Sequence, residues 1–415
     1  ARAAAASAAV LERAPAASMY GAVEPPAYPG RVPDEFWTWR GLQVRYQRHR
    51  PAAGASEGVV LLIHGFGGNA EHWRKNAPAL AAAGYDVYAV DLLGYGAQRR
   101  MGVPSPEKAR GGGGSPVNLQ GSHARPSKPF GLHRHFVGEG AKLLSQSQGS
   151  RNLGRAASPR DYSRGRPGFS EKPDPRTSVP LRVDPTMPER FYNIPMWAEQ
   201  MGAFLGEVCQ LPPGGAHVIT NSVGSSVGLQ LAIDFPDRVR ALALLDPSLR
   251  MLHVENQSPL ERPFVPAIQW ALRETPLGQS FYELVATPGT VQAILRVIYP
   301  ARPEAVDDEL VDCILKPGLS SPNATRVFLD FISYSAGPLV QEQLAALGPA
   351  QGRAPVWIGW GSADPWEPME RGRELYADLA AVERFQPLEG LGHCPMDEDP
   401  EVVNPFLLEF LRAHG

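Results

Sequence analysis

The sequence predicts an α/β fold with a mostly parallel central sheet, helices on both faces of the sheet and an inserted helical lid. The first observation is a buried apolar run at residues 59–63, followed by helical spacing and a second buried run at 85–91. Strand, helix and strand at this spacing form a βαβ unit, which implies parallel strands. The second observation is a helical block of about a hundred residues, 247–349, after which strands and helices alternate again. A core sheet interrupted by a lid explains this order.

Composition excludes several classes of protein. The chain has 415 residues, 43% of them hydrophobic, and a net charge of −3. Such a chain buries a sizeable core, and its charge argues against nucleic acid as the main partner. Cys209, Cys313 and Cys394 are widely spaced and odd in number, so they predict neither a disulfide framework nor a metal site, and a reducing compartment follows. No apolar run approaches the roughly 20 residues of a membrane-spanning helix.

Two segments lack the patterns of a folded core. The opening of the chain is rich in Ala, Arg and Ser, so residues 1–34 are interpreted as a transit-peptide-like segment or a disordered tail. Residues 97–190 have no periodicity and hold 17 Lys or Arg against seven Asp or Glu. They offer too little apolar surface to offset the entropy of ordering, which predicts a low-complexity, disordered insertion. Its role is either solvated filler or a basic tether to an acidic membrane surface.

The other segments divide into core and lid. Residues 35–96 carry the βαβ unit, and residues 191–246 carry a helix and two further strands. Residues 247–349 have helical spacing interrupted by prolines, as expected of a lid, and residues 350–415 return to strands and helices. The predicted lid helices cover residues 268–273, 291–298, 307–315 and 327–333.

The most informative motif is Thr220-Asn221-Ser222-Val223-Gly224, between an apolar run and a helix-like segment. A strand that turns sharply at a serine and continues as a helix is typical of a nucleophile elbow, which lifts the serine hydroxyl above the sheet. The usual pattern is G-x-S-x-G, and Thr220 stands in place of its first glycine. Ser222 as an ordinary helix N-cap is the alternative, because serine is favoured there.

Ser222 needs a base oriented by an acid, because a serine hydroxyl is a poor nucleophile at neutral pH. Asp364 and His393 each follow a predicted strand near the end of the chain. The chain order Ser, Asp, His, with each residue after a strand, is that of an α/β-hydrolase fold. A turn aspartate and a loop histidine are the structural alternatives. Asp246 also ends a predicted strand and is the alternative acid.

Two backbone amides are predicted to form an oxyanion hole. One belongs to Val223 at the start of the helix, and the other belongs to Phe66 in a glycine-rich loop. His64, Gly65 and Gly67 support this loop, since glycines let the main chain approach a substrate. A phosphate-binding loop is the alternative, but the stretch lacks both G-x-G-x-x-G and a P-loop lysine.

Several motifs are more specific than the general fold. They are FWTWRG from Phe36, HGFGGNAEHWRKN from His64, AVDLLGYG from Ala89, MWAEQ from Met196, NSVGS from Asn221, DPSLRMLH from Asp246, ADPWEP from Ala363 and GHCPMDEDPE from Gly392. Over about residues 35–96 and 191–412, the chain resembles the plastid α/β-hydrolases of plants and algae, and within them the chlorophyll dephytylase and pheophytinase branch.

This resemblance implies hydrolysis of the phytyl ester of chlorophyll-type pigments by a serine mechanism without a cofactor. Carried over by motif, it implies that Ser222, Asp364 and His393 are catalytic. The chain departs from the branch at two points, because members tend to have glycine where Thr220 stands and a short loop in place of residues 97–190. A threonine Cβ at the elbow would crowd the helix against the strand, with reduced activity as the consequence.

We therefore expect a carboxylic-ester hydrolase of the chloroplast, in the stroma or at the thylakoid, whose partner is a lipophilic ester such as a phytylated tetrapyrrole. Peripheral membrane association fits such a substrate, and neither a metal nor a cofactor is expected. The rivals are a generalist lipase or acyltransferase and a catalytically silent binding protein. Lid aromatics are expected either to line an apolar channel for a prenyl tail or to form the lid's own core. They are Phe264, Trp270, Phe281, Tyr282, Phe328, Phe331 and Tyr334.

Overall fold

The computed structural model describes most of the predicted core and lid. It covers residues 26–51, 56–96, 99–100, 171–173, 180–187, 190–321, 323–348 and 354–415. The transit-peptide-like opening of the chain and most of the predicted insertion therefore lie outside the described residues.

The central sheet has a mostly parallel arrangement, which confirms the predicted fold class. The strands are β1 (Asp34–Trp39), β2 (Leu42–His49), β3 (Gly58–Ile63), β4 (Tyr85–Val90), β5 (Arg99–Arg100), β6 (Glu171–Pro173), β7 (Pro180–Arg182), β8 (Ala216–Asn221), β9 (Val239–Leu245), β10 (Val356–Gly361) and β11 (Val382–Leu388). The order across the sheet is β1-β2-β4-β3-β8-β9-β10-β11, with β5 beside β2, and β6 and β7 form a separate ribbon. Strands β4 to β11 of this order are parallel, whereas β1 and β2 are antiparallel to their neighbours.

Helices cover both faces of the sheet. They are α1 (Ala77–Ala82), α2 (Ile194–Glu207), α3 (Val223–Asp234), α4 (Val265–Glu274), α5 (Pro276–Val285), α6 (Pro288–Ile298), α7 (Asp308–Ser320), α8 (Ala324–Ile332), α9 (Val340–Leu347), α10 (Met369–Tyr376), α11 (Pro395–Glu398) and α12 (Pro400–Ala413). Alternate residues of β3 pack into two separate cores, Leu61 and Ile63 into one, Val60 and Leu62 into the other. This alternation follows from the two-residue period of a strand.

The lid consists of α4 to α9, which lie in the chain between β9 and β10. The sequence prediction missed α5 and α9. Helix α5 had a readable start signal, because the side chain of Thr275 accepts a hydrogen bond from the Leu277 amide and Pro276 follows directly. Within the described residues, none of the helices is long and apolar enough to cross a membrane.

Two predicted boundaries are wrong. The tail was predicted to extend to residue 34, but β1 begins at Asp34, and Tyr28 and Arg31 already hydrogen-bond to the buried carboxylate of Glu71. The insertion was predicted to extend to residue 190, but part of its end is folded. There the guanidinium of Arg182 donates to Asp234 of α3 at 2.5 Å. Long-range ion pairs of this kind leave no periodic signal in the sequence.

The parallel strands bring the predicted site residues to one edge of the sheet. Strands β3, β8, β9, β10 and β11 are successive neighbours with the same direction, so the loops after them emerge side by side. The glycine-rich loop, Ser222, Asp246, Asp364 and His393 follow these five strands in that order. The fold thus gathers them at a single edge.

Candidate active site

Ser222 forms a sharp turn between β8 and α3. Its backbone has φ 55° and ψ −125°, a region that residues other than glycine rarely adopt. The Ser222 amide donates to the carbonyl of Leu245 at 2.9 Å, and the Ser222 carbonyl accepts from the amide of Ser225 at 3.0 Å. The side chain makes no capping hydrogen bond to α3. The N-cap interpretation therefore fails, and the turn has the shape of a nucleophile elbow.

Thr220 fits this turn because α3 has a glycine opposite its methyl group. A Cβ atom on Gly228 would stand 2.8 Å from Thr220 Cγ2, too close for a real contact. The hydroxyl of Thr220 lies 3.0 Å from that of Ser225. Helix α3 therefore approaches β8 without displacing Ser222, and the crowding expected from a threonine at this position does not occur.

His393 connects the serine to an aspartate. Its Nε2 lies 2.9 Å from Ser222 Oγ, and its Nδ1 lies 2.7 Å from Asp364 Oδ2. All three side chains are buried. Because a neutral imidazole carries one proton, the bond to Asp364 fixes that proton on Nδ1 and leaves Nε2 free to accept from the serine hydroxyl. The three residues have the geometry of a Ser-His-Asp triad.

Asp364, and not Asp246, is the carboxylate that contacts His393. The other oxygen of Asp364, Oδ1, accepts from the amides of Trp366 and Glu367 at 2.8 and 3.1 Å. Asp246 instead accepts from the Gly361 amide at 2.8 Å. Burial and the neighbouring Asp364 carboxylate raise the pKa of Asp246 well above its usual value. The alternative acid is thus a buried group that does not contact the histidine, and its charged form is disfavoured by burial and by Asp364.

Glu367 is a site residue that the sequence interpretation missed. It is buried, and its Oε1 accepts from the hydroxyl of Ser248 at 2.9 Å. Burial and the charge of Asp364 raise the pKa of Glu367 to about 7. Burial lowers the pKa of His393, but Asp364 and Glu367 together outweigh it and raise this pKa above 6.5. The signal in the sequence was a second carboxylate three residues after Asp364.

The histidine loop is anchored from two sides. The side-chain amide of Asn221 donates to the main-chain carbonyl of His393 at 3.0 Å. The His393 amide donates to the carbonyl of Ile298 at 3.1 Å, the last residue of α6. The ring of Trp366 lies 5.2 Å from the imidazole, centroid to centroid. Strand β8, the lid and the acid loop therefore fix the imidazole together.

The glycine-rich loop lies directly against Ser222. A Cβ atom on Gly65 would stand 2.9 Å from the Cβ of Ser222, so only glycine allows this approach. The Leu92 amide donates to Nε2 of His64 at 3.0 Å, which places the His64 proton on Nδ1, 2.8 Å from the Gly65 carbonyl. His64 thus has both nitrogens engaged and shapes the loop. The loop brings Phe66 to the same edge as Val223, the first residue of α3, whose amide has no acceptor within its helix.

The seven lid aromatics do not form one channel. Phe66 stacks on Phe331 with ring centroids 4.4 Å apart and lies 5.4 Å from Phe328. Phe328 in turn lies 5.9 Å from Phe281 and 5.5 Å from Tyr282. The other three are placed elsewhere, with Tyr334 in the core and Phe264 and Trp270 on the surface. Four of the seven thus extend from the loop of Phe66 into the lid.

The described part of the chain does not offer a metal site. Within the residues that the structure describes, no group of three or more His, Cys, Asp and Glu side chains is arranged to hold a metal ion.

Comparison with known proteins identifies the family. The model of the alpha/beta hydrolase family matches residues 60–406. A chloroplastic pheophytinase of Arabidopsis thaliana is 23% identical over 85% of this chain and 61% of its own length. An uncharacterized hydrolase of Bacillus subtilis, YugF, is 23% identical over 48% of this chain and 65% of its own length. The chain thus spans less than two thirds of both relatives.

Solved structures of similar fold include esterases and epoxide hydrolases. A thermophilic esterase of Thermogutta terrifontis superposes with a TM-score of 0.52 at 15% identity, over 95% of this chain and 98% of its own. The epoxide hydrolase VrEH1 of Vigna radiata superposes with a TM-score of 0.53 at 15% identity, over 93% of this chain and all of its own. These structures share the overall fold, and the family model spans most of the chain. The chain belongs to the alpha/beta hydrolase family.

Proposed function

We propose that this protein is a serine carboxylic-ester hydrolase with Ser222 as nucleophile, His393 as base and Asp364 as the acid that orients the base. The observation that carries the proposal is the unbroken pair of short contacts from Ser222 Oγ through His393 to Asp364. An aspartate nucleophile of the kind that epoxide hydrolases need is absent from the elbow, where serine stands.

In the acylation step, Ser222 Oγ attacks the ester carbonyl while its proton passes to Nε2 of His393. The tetrahedral intermediate collapses, His393 returns the proton to the departing alkoxide, and the alcohol leaves. Water then attacks the acyl-enzyme and gives its proton to His393, and the free acid departs as Ser222 recovers its proton. Asp364 stabilises the imidazolium form of His393 in both halves of the reaction.

The amides of Phe66 and Val223 are proposed to bind the oxyanion of each tetrahedral intermediate. Their support is position, because Phe66 follows Gly65, which lies against Ser222, and Val223 begins α3. A helix N-terminus favours negative charge, and each preorganised donor typically contributes about 100- to 1,000-fold in rate.

The proposed substrate is a lipophilic ester, most specifically the phytyl ester of a chlorophyll-type pigment in the chloroplast. The distant chloroplastic pheophytinase supports this choice, as it aligns with 85% of the chain. Phe66, Phe328 and Phe331 support it as well, because they place apolar surface beside the proposed oxyanion loop. The tetrapyrrole would form the acyl-enzyme and the prenyl alcohol would leave first.

The decisive experiment combines active-site labelling with substrate choice. We expect a fluorophosphonate probe to label the wild-type protein and not Ser222→Ala, and we expect the labelled serine to be Ser222. Pheophytin or chlorophyll would then be supplied beside triacylglycerol and short acyl esters, with and without an alcohol acceptor. Release of phytol supports the dephytylase proposal.

Each rival function has its own outcome in this experiment. Intact pigment esters with turnover of glycerides would replace the proposal by a generalist lipase. Ester exchange with the added alcohol would indicate an acyltransferase. Absence of any Ser222-dependent adduct would reject the hydrolase and point to a silent binding protein.

A further inference from the structure

The lid has an apolar outer surface that the ester chemistry does not use. Ten large apolar side chains are strongly exposed in the described part of the chain, and eight of them lie between residues 252 and 284. Leu260, Phe264 and Trp270 are 83%, 67% and 62% exposed. We define the lid face as Leu260, Phe264, Ile268, Trp270, Leu277 and Leu284.

The lid face lies on α4, on α5 and on the turn before α4, and the inner sides of both helices are already covered. Helices α4 and α5 pack against each other, and both pack against α8. Phe264 and Ile268 are one helical turn apart, and Leu277 and Leu284 are two turns apart, so each helix carries an apolar stripe, while Trp270 projects from another side of α4. Gln269 and Gly278 are buried on the inner sides. An apolar stripe on a solvent-facing side indicates a surface that meets another apolar phase.

The charged residues around the lid face indicate whether it suits an anionic or an uncharged lipid surface. Residues 252–285 hold four acids, Glu255, Glu261, Glu274 and Glu283, against two arginines. One of the two, Arg273, pairs with Glu274 at 2.5 Å and lies 3.7 Å from the buried Asp330. Attraction to anionic lipid requires clusters of Lys and Arg, which this segment lacks. The lid face therefore suits an uncharged lipid surface, with aromatic and aliphatic side chains at its boundary.

Helix α5, which carries part of the lid face, is linked to the candidate active site by aromatic contacts on its other residues. Phe281 of α5 contacts Phe328 of α8, and Phe328 contacts Phe66 in the loop beside Ser222. The ring-to-ring distances along this path are 5.9 and 5.4 Å. Packed aromatic side chains thus extend from α5 to the loop beside Ser222.

We propose that the lid face docks onto an uncharged lipid surface and orients the path from α5 to Ser222 toward that surface. The docking rests on exposed apolar side chains and not on the ester chemistry. Its test is therefore independent of the proposed function.

Flotation of the full chain with phosphatidylcholine vesicles tests the docking. We expect binding that persists in about 1 M NaCl, where the Debye length is about 3 Å and basic segments are screened. The triple variant Phe264→Ser, Ile268→Ser, Trp270→Ser should lose about tenfold or more of this binding. The matched control is Val402→Ser, because Val402 is 46% exposed on α12, away from the lid. It should bind as the wild type does.

Three results would overturn the proposal. Binding that requires phosphatidylglycerol and disappears in high salt would assign the attachment to basic segments elsewhere. A wild-type dimer that becomes a monomer in the triple variant, measured by sedimentation velocity, would mean that a second copy covers the lid face. Equal loss in Val402→Ser would show that the effect is not specific to the lid. Thermal unfolding of all variants separates these outcomes from misfolding, and fluorophosphonate labelling reports on the serine independently.

Discussion

Asn221 holds the main-chain carbonyl of His393 through its side-chain amide at 3.0 Å, across 172 positions of the chain. The residue that precedes the serine in the strand thereby positions the histidine that we propose as the base. The same amide reaches the carbonyl of Leu245 at 3.3 Å, so the ends of β8, β9 and the histidine loop are joined at one buried group. Asn221 is a positioning residue, because it contacts neither the serine hydroxyl nor the imidazole nitrogens.

We expect Asn221→Ala to lower kcat/KM by about 10- to 100-fold and to destabilise the fold by about 1–3 kcal/mol, because it leaves two buried carbonyls without this donor. Ester hydrolysis and urea unfolding measure the two effects. Asn193→Ala is the matched control, since buried Asn193 also donates to two carbonyls, those of Arg182 and Arg190, at 3.1 and 2.9 Å, away from the site. It should lose stability and keep kcat/KM. Equal kinetic effects in both variants would contradict a positioning role.

The two aspartates at this sheet edge should respond differently to the same change. Asp364→Asn should lower kcat by about 10⁴-fold, because an amide next to Nδ1 favours the wrong tautomer of His393. Asp246→Asn should cost less than about tenfold, since Asp246 bonds the Gly361 amide and not His393, and burial already disfavours its charged form. Steady-state kinetics of both variants decide the matter. A larger loss in Asp246→Asn would make Asp246 the functional acid.

Glu367 should set the pH dependence of the reaction. The base works as neutral imidazole, so activity falls as the pH drops through the pKa of His393, which lies above 6.5. Glu367→Gln removes a negative charge that favours imidazolium. The acidic limb of kcat/KM should therefore move to lower pH.

The stability of Glu367→Gln provides the control for this shift. A carboxyl whose folded pKa is raised to about 7 contributes stability at low pH that is lost as the pH rises toward and through 7. The variant should therefore lose less thermal stability than the wild type between about pH 5 and 8. An unchanged acidic limb, with this stability change present, would show that Glu367 is structural only.

Thr220 and Gly228 should behave as a coupled pair. Gly228→Ala alone should be destabilising, because its Cβ would meet Thr220 Cγ2 at 2.8 Å. Thr220→Gly alone should cost about 1–2 kcal/mol, through the lost methyl and the hydrogen bond to Ser225. The double variant should recover about 1 kcal/mol relative to the sum of the single changes. Additive free energies of unfolding would mean that α3 shifts freely and that no steric match exists.

Local patterns in the sequence predicted the fold class and the positions of Ser222, Asp364 and His393 at strand ends. Each of these depends on a short apolar run followed by a turn, which a single window of sequence contains. The helical segment predicted between the apolar runs at 59–63 and 85–91 differs from the structure in one respect. The structure has a 3-10 turn at Ala70–Trp73 and then α1, because Pro78 belongs to the first turn of a helix and does not continue one.

Contacts between distant parts of the chain could not be predicted from such short stretches of sequence. The sequence around Gly228 does not indicate that this glycine packs against Thr220. The sequence around Asp246 does not indicate that His393 hydrogen-bonds to Asp364 instead. The buried pair of Arg182 and Asp234 likewise joins a segment of low sequence complexity to α3. These relationships depend on how the strands are ordered in the sheet, and that order follows from packing and not from spacing.

The His393 amide donates a hydrogen bond to the carbonyl of Ile298, which joins α6, but not α4 or α5, to the histidine loop. Ile298 ends α6, so any displacement of that helix would pull the imidazole away from Ser222. Helices α4 and α5 have no such bond to the histidine among the described contacts. A change in the position of α4 and α5 would therefore leave this bond in place, whereas a change in the position of α6 would act directly on the histidine loop.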